Sequence, residues 1–211
     1  MRKFFDFFVF EGFWGFGVFA KARLVFLSVP KTGTTAWEKA LAPVADIVVN
    51  DPPELKHAPV FRYNRFFRPM VDKFIGEDVE IIATIREPIS WLGSWYRYRR
   101  RPFMQDRPNN TYNVSFDDFI DAYCRGDRPD FANVGAQSKF VEPAGNGTCV
   151  TRFFRYEDQP ALRAFLEDRL QQRIGLTREN VSPQMPLELS EATETKLRRK
   201  CAAEFTLYQS I

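Results

Sequence analysis

The fold is decided by residues 24–35, which read LVFLSVPKTGTT. An apolar, β-branched run predicts a strand, and the run breaks at Pro30 into a short polar loop. An apparent helix, Ala36–Leu41, follows this loop. Backbone N–H groups at a helix start point toward a ligand, and the helix dipole favours negative charge there. The stretch therefore predicts an anion site suited to phosphate or sulfate esters.

The side chains of this loop are those that an anion site needs. Lys31 adds a positive charge, and hydroxyl donors come from Thr32, Thr34 and Thr35. Gly33 permits close approach of the backbone to a ligand. The alternative interpretation is a plain strand-to-helix turn whose threonines cap the helix.

The loop differs from the Walker A pattern, G-x-x-x-x-G-K-[ST]. That pattern places its lysine after the second glycine, at the start of the helix. Here Lys31 precedes the only glycine of the loop, and the loop is shorter. A nucleoside triphosphatase is therefore disfavoured, although the physics of anion binding is shared.

The composition is typical of a globular protein, with 45% apolar and 27% charged residues in a chain of 211. We expect one domain over residues 23–211, preceded by an aromatic-rich N-terminal arm over residues 1–22. The net charge of +3 argues against a nucleic-acid binder and suits an anionic ligand held at a local basic patch. The cysteines Cys124, Cys149 and Cys201 match neither a metal-ligand spacing nor a disulfide framework, which favours a reducing compartment.

The N-terminal arm superficially resembles a signal peptide. Asp6 and Glu11 interrupt its apolar region, and no small-residue cleavage site follows. We expect the arm to pack on the domain or on a partner, with an amphipathic surface segment as the alternative. No stretch is predicted to span a membrane, so we expect a cytoplasmic protein, or a Golgi one only if an anchor has been removed.

Strands alternate with helices along the chain. This order predicts a three-layer, P-loop-like α/β fold, in which helices flank a central and mostly parallel sheet. After the first strand, the further predicted strands cover residues 46–49, 79–85 and 148–155. The further predicted helices cover residues 61–74, 88–100, 115–123, 158–175 and 191–208.

A second group of polar residues follows the strand over residues 79–85. Arg86 comes directly after this strand, and Pro88 suits the first position of the next helix. Ligands of such folds bind beyond the carboxyl ends of the strands, so Arg86 and the Lys31 loop can converge on one ligand. The guanidinium of Arg86 can grip a phosphate through paired bonds, and Ser94 lies about two helical turns further on.

These segments resemble the two nucleotide-binding signatures of sulfotransferases that use 3′-phosphoadenosine-5′-phosphosulfate (PAPS). Pro30–Thr35 is similar to the first signature, which binds the 5′-phosphosulfate. Arg86, with Ser94 eight residues later, is similar to the second, which binds the 3′-phosphate. The resemblance implies that the loop residues 31–35, Arg86 and Ser94 bind PAPS, that the desulfated product PAP is released, and that no metal is required.

The resemblance extends to the carbohydrate sulfotransferase group and covers roughly residues 23–208. Leu55–Ala58 looks like the acceptor-side histidine segment of that group. Other similar segments are Gln137–Phe140, Phe154–Asp158 and Asn180–Ser182. Because no anchor is predicted, we expect a bacterial member of the group rather than a Golgi one. Cytosolic small-molecule sulfotransferases place a tryptophan directly after the paired threonines, whereas here Trp37 is displaced by one position.

His57, the only histidine, is the candidate general base. The alternative is a structural or surface histidine. Transfer to a hydroxyl needs a base with a pKa near the working pH, which imidazole supplies. In this hypothesis an acceptor oxygen attacks the sulfur in line, and Lys31 stabilises the charge on the leaving phosphate oxygen. The acceptor is a hydroxyl compound, with a carbohydrate favoured and an anionic glycan as one candidate.

Two other functions remain open at the level of sequence. One is a non-catalytic domain that retains nucleotide binding as an interaction module. The other is a P-loop-like small-molecule kinase, against which the position of Lys31 argues. The presence of Lys31, His57, Arg86 and Ser94 together favours an enzyme.

Overall fold

The computed structural model describes residues 16–176 and 185–211. Residues 1–15 of the predicted arm, and the segment Asn180–Ser182, lie outside the described residues. The strands are β1 (Phe16–Phe19), β2 (Leu24–Leu27), β3 (Ile47–Val49), β4 (Glu80–Ile85) and β5 (Arg152–Arg155). The helices are α1 (Thr34–Leu41), α2 (Pro53–Lys56), α3 (Val60–Phe66), α4 (Arg68–Phe74), α5 (Pro88–Tyr98), α6 (Phe116–Tyr123), α7 (Gln137–Phe140), α8 (Gln159–Leu170), α9 (Glu191–Lys200) and α10 (Ala202–Gln209).

The five strands form one sheet in the order β3-β1-β2-β4-β5. β4 pairs in parallel with both β2 and β5. β1 pairs antiparallel with both β2 and β3, so β3 points in the same direction as β2. Four strands therefore share one direction, and the prediction of a mostly parallel α/β sheet flanked by helices is confirmed.

β1 lies within the sequence that we predicted as an arm. Phe16, Val18 and Phe19 are buried, and Gly17 pairs with Phe26 of β2. Without β1, one side of β2 would present unpaired backbone N–H and C=O groups, which is costly for a central strand. Residues 16–19 thus belong to the sheet, and the ordered fold begins before residue 23.

Both faces of the sheet are covered, as the alternation of side chains along β2 shows. Val25 and Leu27 pack with residues of α3, α4 and α7 on one face. Leu24 and Phe26 pack with residues of α1 and α8 on the other. A further apolar cluster joins α5, α6, α9 and α10. Continuous apolar strands suit this arrangement because every side chain of the strand meets a helix layer.

Two predicted helices are each divided in the structure. The predicted helix over residues 61–74 is interrupted at Phe67, because Pro69 lacks an N–H and its ring conflicts with a continuing helix. The predicted helix over residues 191–208 is interrupted at Cys201, whose φ of −118° and ψ of 35° are not helical. The helix predicted over residues 158–175 ends at Leu170, where Gln171 takes the left-handed conformation that commonly ends helices. β5 covers only the last four residues of its predicted range.

No helix among residues 16–176 and 185–211 is long and apolar enough to cross a membrane.

The cap predicted at Ser115 is present and offers a test of the local structure. Its hydroxyl accepts a hydrogen bond from the N–H of Asp118 at 3.0 Å, at the start of α6. Ser115→Ala should lower the free energy of unfolding by about 1 kcal/mol, because this N–H loses its acceptor. Ser115→Thr keeps the hydroxyl and should retain most of the stability. Urea unfolding followed by circular dichroism measures both, and equal losses in the two variants would contradict the cap.

Candidate functional site

The loop between β2 and α1 is held in a defined shape by its own backbone conformation and by hydrogen bonds within the protein. Lys31 and Gly33 both have positive φ, at 66° and 74°, which turns the backbone sharply into α1. The Thr32 hydroxyl donates to the carbonyl of Val29 at 2.8 Å. The indole Nε1 of Trp91, on α5, donates to the carbonyl of Pro30 at 2.8 Å. These two hydrogen bonds fix the conformation of the loop.

Gly33 is required by both its conformation and its surroundings. A Cβ at this position would lie 2.8 Å from the ring of Tyr156. Gly33 also has no side chain with which to cap the first N–H groups of α1. The start of α1 therefore keeps the features of an anion cradle, with N–H groups and the positive end of the helix dipole.

The predicted threonines divide into two kinds. Thr32 and Thr34 are buried, with the Thr34 hydroxyl facing Glu38 and the Thr32 hydroxyl bonded as described above. Thr35, at the second position of α1, is only partly buried. Thr32 and Thr34 thus maintain the shape of the loop, and Thr35 presents its side chain at the start of the helix.

Arg86 meets this loop from the neighbouring strand. Its Nη1 donates to the carbonyl of Lys31 at 3.3 Å, and its guanidinium lies 4.3 Å from the ring centre of Tyr156. Its Nε donates to the hydroxyl of Ser90 at 2.9 Å. Burial holds the pKa of Arg86 below its usual range. The structure therefore brings the two sequence segments together, as the order of strands predicted.

Serines on α5 extend the site along the helix. Ser94 is buried, with 6% of its surface exposed, and it lies one turn beyond Ser90 on the same helix face. Ser90, which orients the Arg86 side chain, was not predicted. Its spacing of four residues from both Arg86 and Ser94 was the available signal.

The backbone of Arg86 is held by the segment that starts α7. The Gln137 side chain accepts from the Arg86 N–H and donates to the Arg86 carbonyl, both at 2.9 Å. The buried carboxylate of Glu204, on α10, accepts from the N–H groups of Gln137 and Ser138 at 2.9 and 2.8 Å. The end of β4 is thus fixed by two further helices.

Positive charge accumulates around Lys31. Its Nζ lies 3.2 Å from the ring centre of Tyr98, which gives a cation–π contact. The pKa of Lys31 is held well below its usual range. Burial is the largest cause, and the positive charges of nearby residues add to it: Arg101, Arg99, Lys56 and Arg86. A bound anion would reverse this repulsion, because it favours the charged form of the lysine.

His57 lies at the same end of β2. Its Nδ1 is 2.8 Å from the carbonyl of Ser28. A carbonyl only accepts hydrogen bonds, so Nδ1 carries the proton in the neutral ring and Nε2 carries the lone pair. Burial lowers the pKa of His57 to about 4; the Ser28 hydrogen bond opposes this effect, and the charges of Lys56 and Lys31 lower the pKa further.

Next to His57 there is a buried ion pair, which the sequence analysis did not predict. Glu38, on α1, is 7% exposed, and its Oε2 is 3.7 Å from the Nζ of Lys56. Burial raises the pKa of Glu38 to about 7, although Lys56 and the hydroxyls of Ser28 and Thr34 favour the charged form. The pair joins α1 to the segment that carries His57, and the only sequence signal was a carboxylate on the apolar face of α1.

Trp37 has a structural role. It is 1% exposed, and its Nε1 donates to the side chain of Gln159 at 2.7 Å. Its ring packs with Leu41 and with residues of α8. Trp37 is therefore unavailable to stack on a base, which agrees with its displacement from the usual tryptophan position.

A family model described as "Sulfotransferase family" matches residues 14–209. The chain belongs to the sulfotransferase family. Searches of curated proteins and of solved structures found no match. Membership supports transfer of a sulfuryl group in general, and a hydroxyl-bearing acceptor with it. The matched region of this sulfotransferase includes both the Lys31 loop and Arg86.

The ionisation of His57 in this sulfotransferase has a defined consequence for stability. A histidine in the unfolded chain titrates near pH 6.5, whereas His57 in the folded protein has a pKa of about 4. As the pH falls, the unfolded chain takes up the proton first. His57 therefore reduces stability progressively as the pH falls from about 6.5 to about 4, and it contributes no such loss above this range.

Because His57 is the only histidine, its imidazole signals need no assignment. We predict a titration midpoint of about 4 in the folded protein and the Nδ1–H tautomer at neutral pH. Nitrogen-15 NMR of protein labelled at histidine measures both quantities. The urea-unfolded chain is the control, with a midpoint expected near 6.5. A midpoint near 6.5 in the folded protein, or the Nε2–H tautomer, would contradict this description.

Proposed function

We propose that the protein transfers a sulfuryl group from PAPS to a hydroxyl of a carbohydrate, by in-line attack with His57 as the base. The observation that carries the proposal is the convergence of positive groups around Lys31, whose pKa they lower together with burial. Such an arrangement is costly without a bound anion, and the two groups of donors, the Lys31 loop and Arg86, favour a ligand with phosphate groups at both ends.

The donor fits this site in one orientation. The Lys31 loop and the first N–H groups of α1 would hold the 5′-phosphosulfate, since they form the anion cradle. Arg86 and Ser94 would hold the 3′-phosphate. Ser90 and Tyr156 fix the guanidinium of Arg86 from two sides, which preserves its geometry for paired bonds to a phosphate. Family membership supports PAPS because sulfotransferases generally use it.

When bound, the donor supplies an activated sulfuryl group and a phosphate leaving group. His57 would take the proton of the acceptor hydroxyl at Nε2, while the Ser28 carbonyl holds Nδ1–H. Negative charge of the donor raises the pKa of His57 from its low value toward the range in which a base is effective. Lys31 and the loop N–H groups would stabilise the charge that develops on the leaving oxygen.

The acceptor side is less defined by local geometry than the donor side. The segment with Lys56 and His57 leads directly into α3, and it corresponds to the segment that resembles the carbohydrate group. The positive charges of Lys56, Arg99 and Arg101 near Lys31 favour an acceptor that itself carries negative charge, such as an anionic glycan.

Transfer of labelled sulfate from PAPS tests the proposed reaction directly. We expect turnover with at least one member of a panel of glycans, glycolipids and small alcohols. His57→Asn places an amide N–H near the position of Nδ1 and can still donate to the Ser28 carbonyl, but it lacks a basic lone pair, so turnover should fall by about a hundredfold or more with PAP affinity unchanged. Equal turnover in the variant and the unaltered protein would show that His57 is not the base.

The same assay separates the alternative functions. PAP binding without turnover on any acceptor would support an interaction module, and preferential binding of ATP would support a kinase.

The role of Arg86 is tested separately by calorimetry with PAP. Arg86→Lys keeps the charge but loses the paired bonds, so we expect about tenfold weaker binding of PAP or more. Affinity for adenosine 5′-phosphosulfate, which has no 3′-phosphate, should fall by much less than affinity for PAP, because, among the described residues, Arg86 contacts the Lys31 loop only through one hydrogen bond to the Lys31 carbonyl. Arg173→Lys, at a side chain that is 96% exposed, is the matched control. Unchanged PAP affinity in Arg86→Lys would contradict the assignment of the 3′-phosphate.

A further inference from the structure

Two of the three cysteines, far apart in sequence, are brought together where α6 meets α9. Asp117, on the first turn of α6, accepts from the Ser190 N–H and from the Thr193 hydroxyl, both at 2.8 Å. One turn further along, Asp121 is bonded to Lys196. These two contacts are successive rungs of a ladder between α6 and α9. The next rung pairs Cys124, at the end of α6, with Cys201, at the end of α9.

The thiols of Cys124 and Cys201 lie close enough to interact with each other where the two helices end. Both cysteines are partly buried against the cluster formed by α5, α6, α9 and α10. Each of them retains some exposure, so a small oxidant can reach the pair. The two preceding contacts of the ladder hold both helices in register, and therefore hold the sulfur atoms together.

We propose that Cys124 and Cys201 are a site of reversible oxidation, at which a peroxide converts the two thiols into an intramolecular disulfide. Nothing in the proposed sulfuryl transfer uses either cysteine, so this site is independent of that function. In a reducing compartment the pair is kept as thiols, and an increase in peroxide would oxidise it.

The chemistry balances in two steps. The Cys124 thiolate attacks hydrogen peroxide, the O–O bond breaks, and Cys124 sulfenic acid and hydroxide form. The Cys201 sulfur then attacks the sulfenic sulfur, its proton leaves with the departing oxygen as water, and the S–S bond forms. Two thiols are oxidised and one peroxide is reduced to two molecules of water.

The order of the two cysteines follows from their surroundings. The interaction with Cys201 lowers the pKa of Cys124, and the charges of Lys196 and Arg128 lower it further, whereas burial and the charge of Asp121 oppose these effects. The pKa of Cys201 is raised by the same interaction and by burial. We therefore assign the reaction with peroxide to Cys124 and the resolving step to Cys201, an order that the serine variants below test independently of the disulfide itself.

The bond would close a long loop of the chain, from the end of α6 to the junction of α9 and α10. A cross-link between residues so far apart restricts the unfolded chain and stabilises the fold. We expect the midpoint of thermal unfolding to rise by about 5–15 °C on oxidation and to return on treatment with dithiothreitol.

The experiment treats the full chain with hydrogen peroxide and maps its cysteines by mass spectrometry without reduction. We expect a peptide that joins Cys124 to Cys201, loss of two hydrogen atoms from the intact mass, and one remaining thiol, that of Cys149. Joining of Cys149 to either cysteine, disulfides between two chains, or three unreacted thiols would each overturn the proposal. This first measurement needs no variant.

Three serine variants separate the roles of the cysteines. Cys149→Ser is the matched control and should form the disulfide as the unaltered chain does. Cys201→Ser should stop at the sulfenic acid of Cys124, which a 1,3-diketone reagent captures. Cys124→Ser should form neither product. Capture of a sulfenic acid at Cys201 in the Cys124→Ser variant would overturn the proposed order.

Discussion

The parallel pairing of β2 with β4 is the constraint on which the candidate site depends. Leu24 pairs with Glu80 and Leu27 with Ala83, so both strands end at the same edge of the sheet. Neighbouring strands are about 4.8 Å apart, which brings the residues that follow them within reach of one ligand. After β2 the chain continues to β3 on one side of the sheet, and after β4 it continues to β5 on the other side. The ends of β2 and β4 therefore form a switch point of the kind at which α/β folds commonly bind ligands.

The protein concentrates positive charge around Lys31, whereas the carboxylates at this edge of the sheet lie beside Lys56, Arg86 and Arg99. Lys31 is partly buried among arginines and a lysine, and Glu38 is the carboxylate that contacts Lys56. The low pKa of His57 has the same origin, because burial and nearby cations disfavour a further charge. An anionic donor would relieve both effects at once. In the reaction that we propose, donor binding and the activation of His57 would thereby be coupled through electrostatics.

Sequence reasoning was most successful where a local pattern determines structure. The apolar runs that became β2 and β4, and the polar residues after each run, were sufficient to predict that Arg86 and the loop converge. β1 was missed because four residues that include Gly17 show no clear alternation within an aromatic-rich segment. Glu38 and Ser90 were missed because their partners, Lys56 and Arg86, are set by tertiary packing and by side-chain direction. Such contacts depend on the whole fold rather than on spacing alone.

The central claim is that one nucleotide lies across the ends of β2 and β4. A crystal structure of the protein with PAP tests this claim most directly. It should show oxygens of the 5′-phosphate about 2.7–3.2 Å from the N–H groups at the start of α1, and oxygens of the 3′-phosphate at similar distances from the guanidinium of Arg86 and the hydroxyl of Ser94. PAP bound elsewhere, or with its 3′-phosphate in the Lys31 loop, would contradict the account.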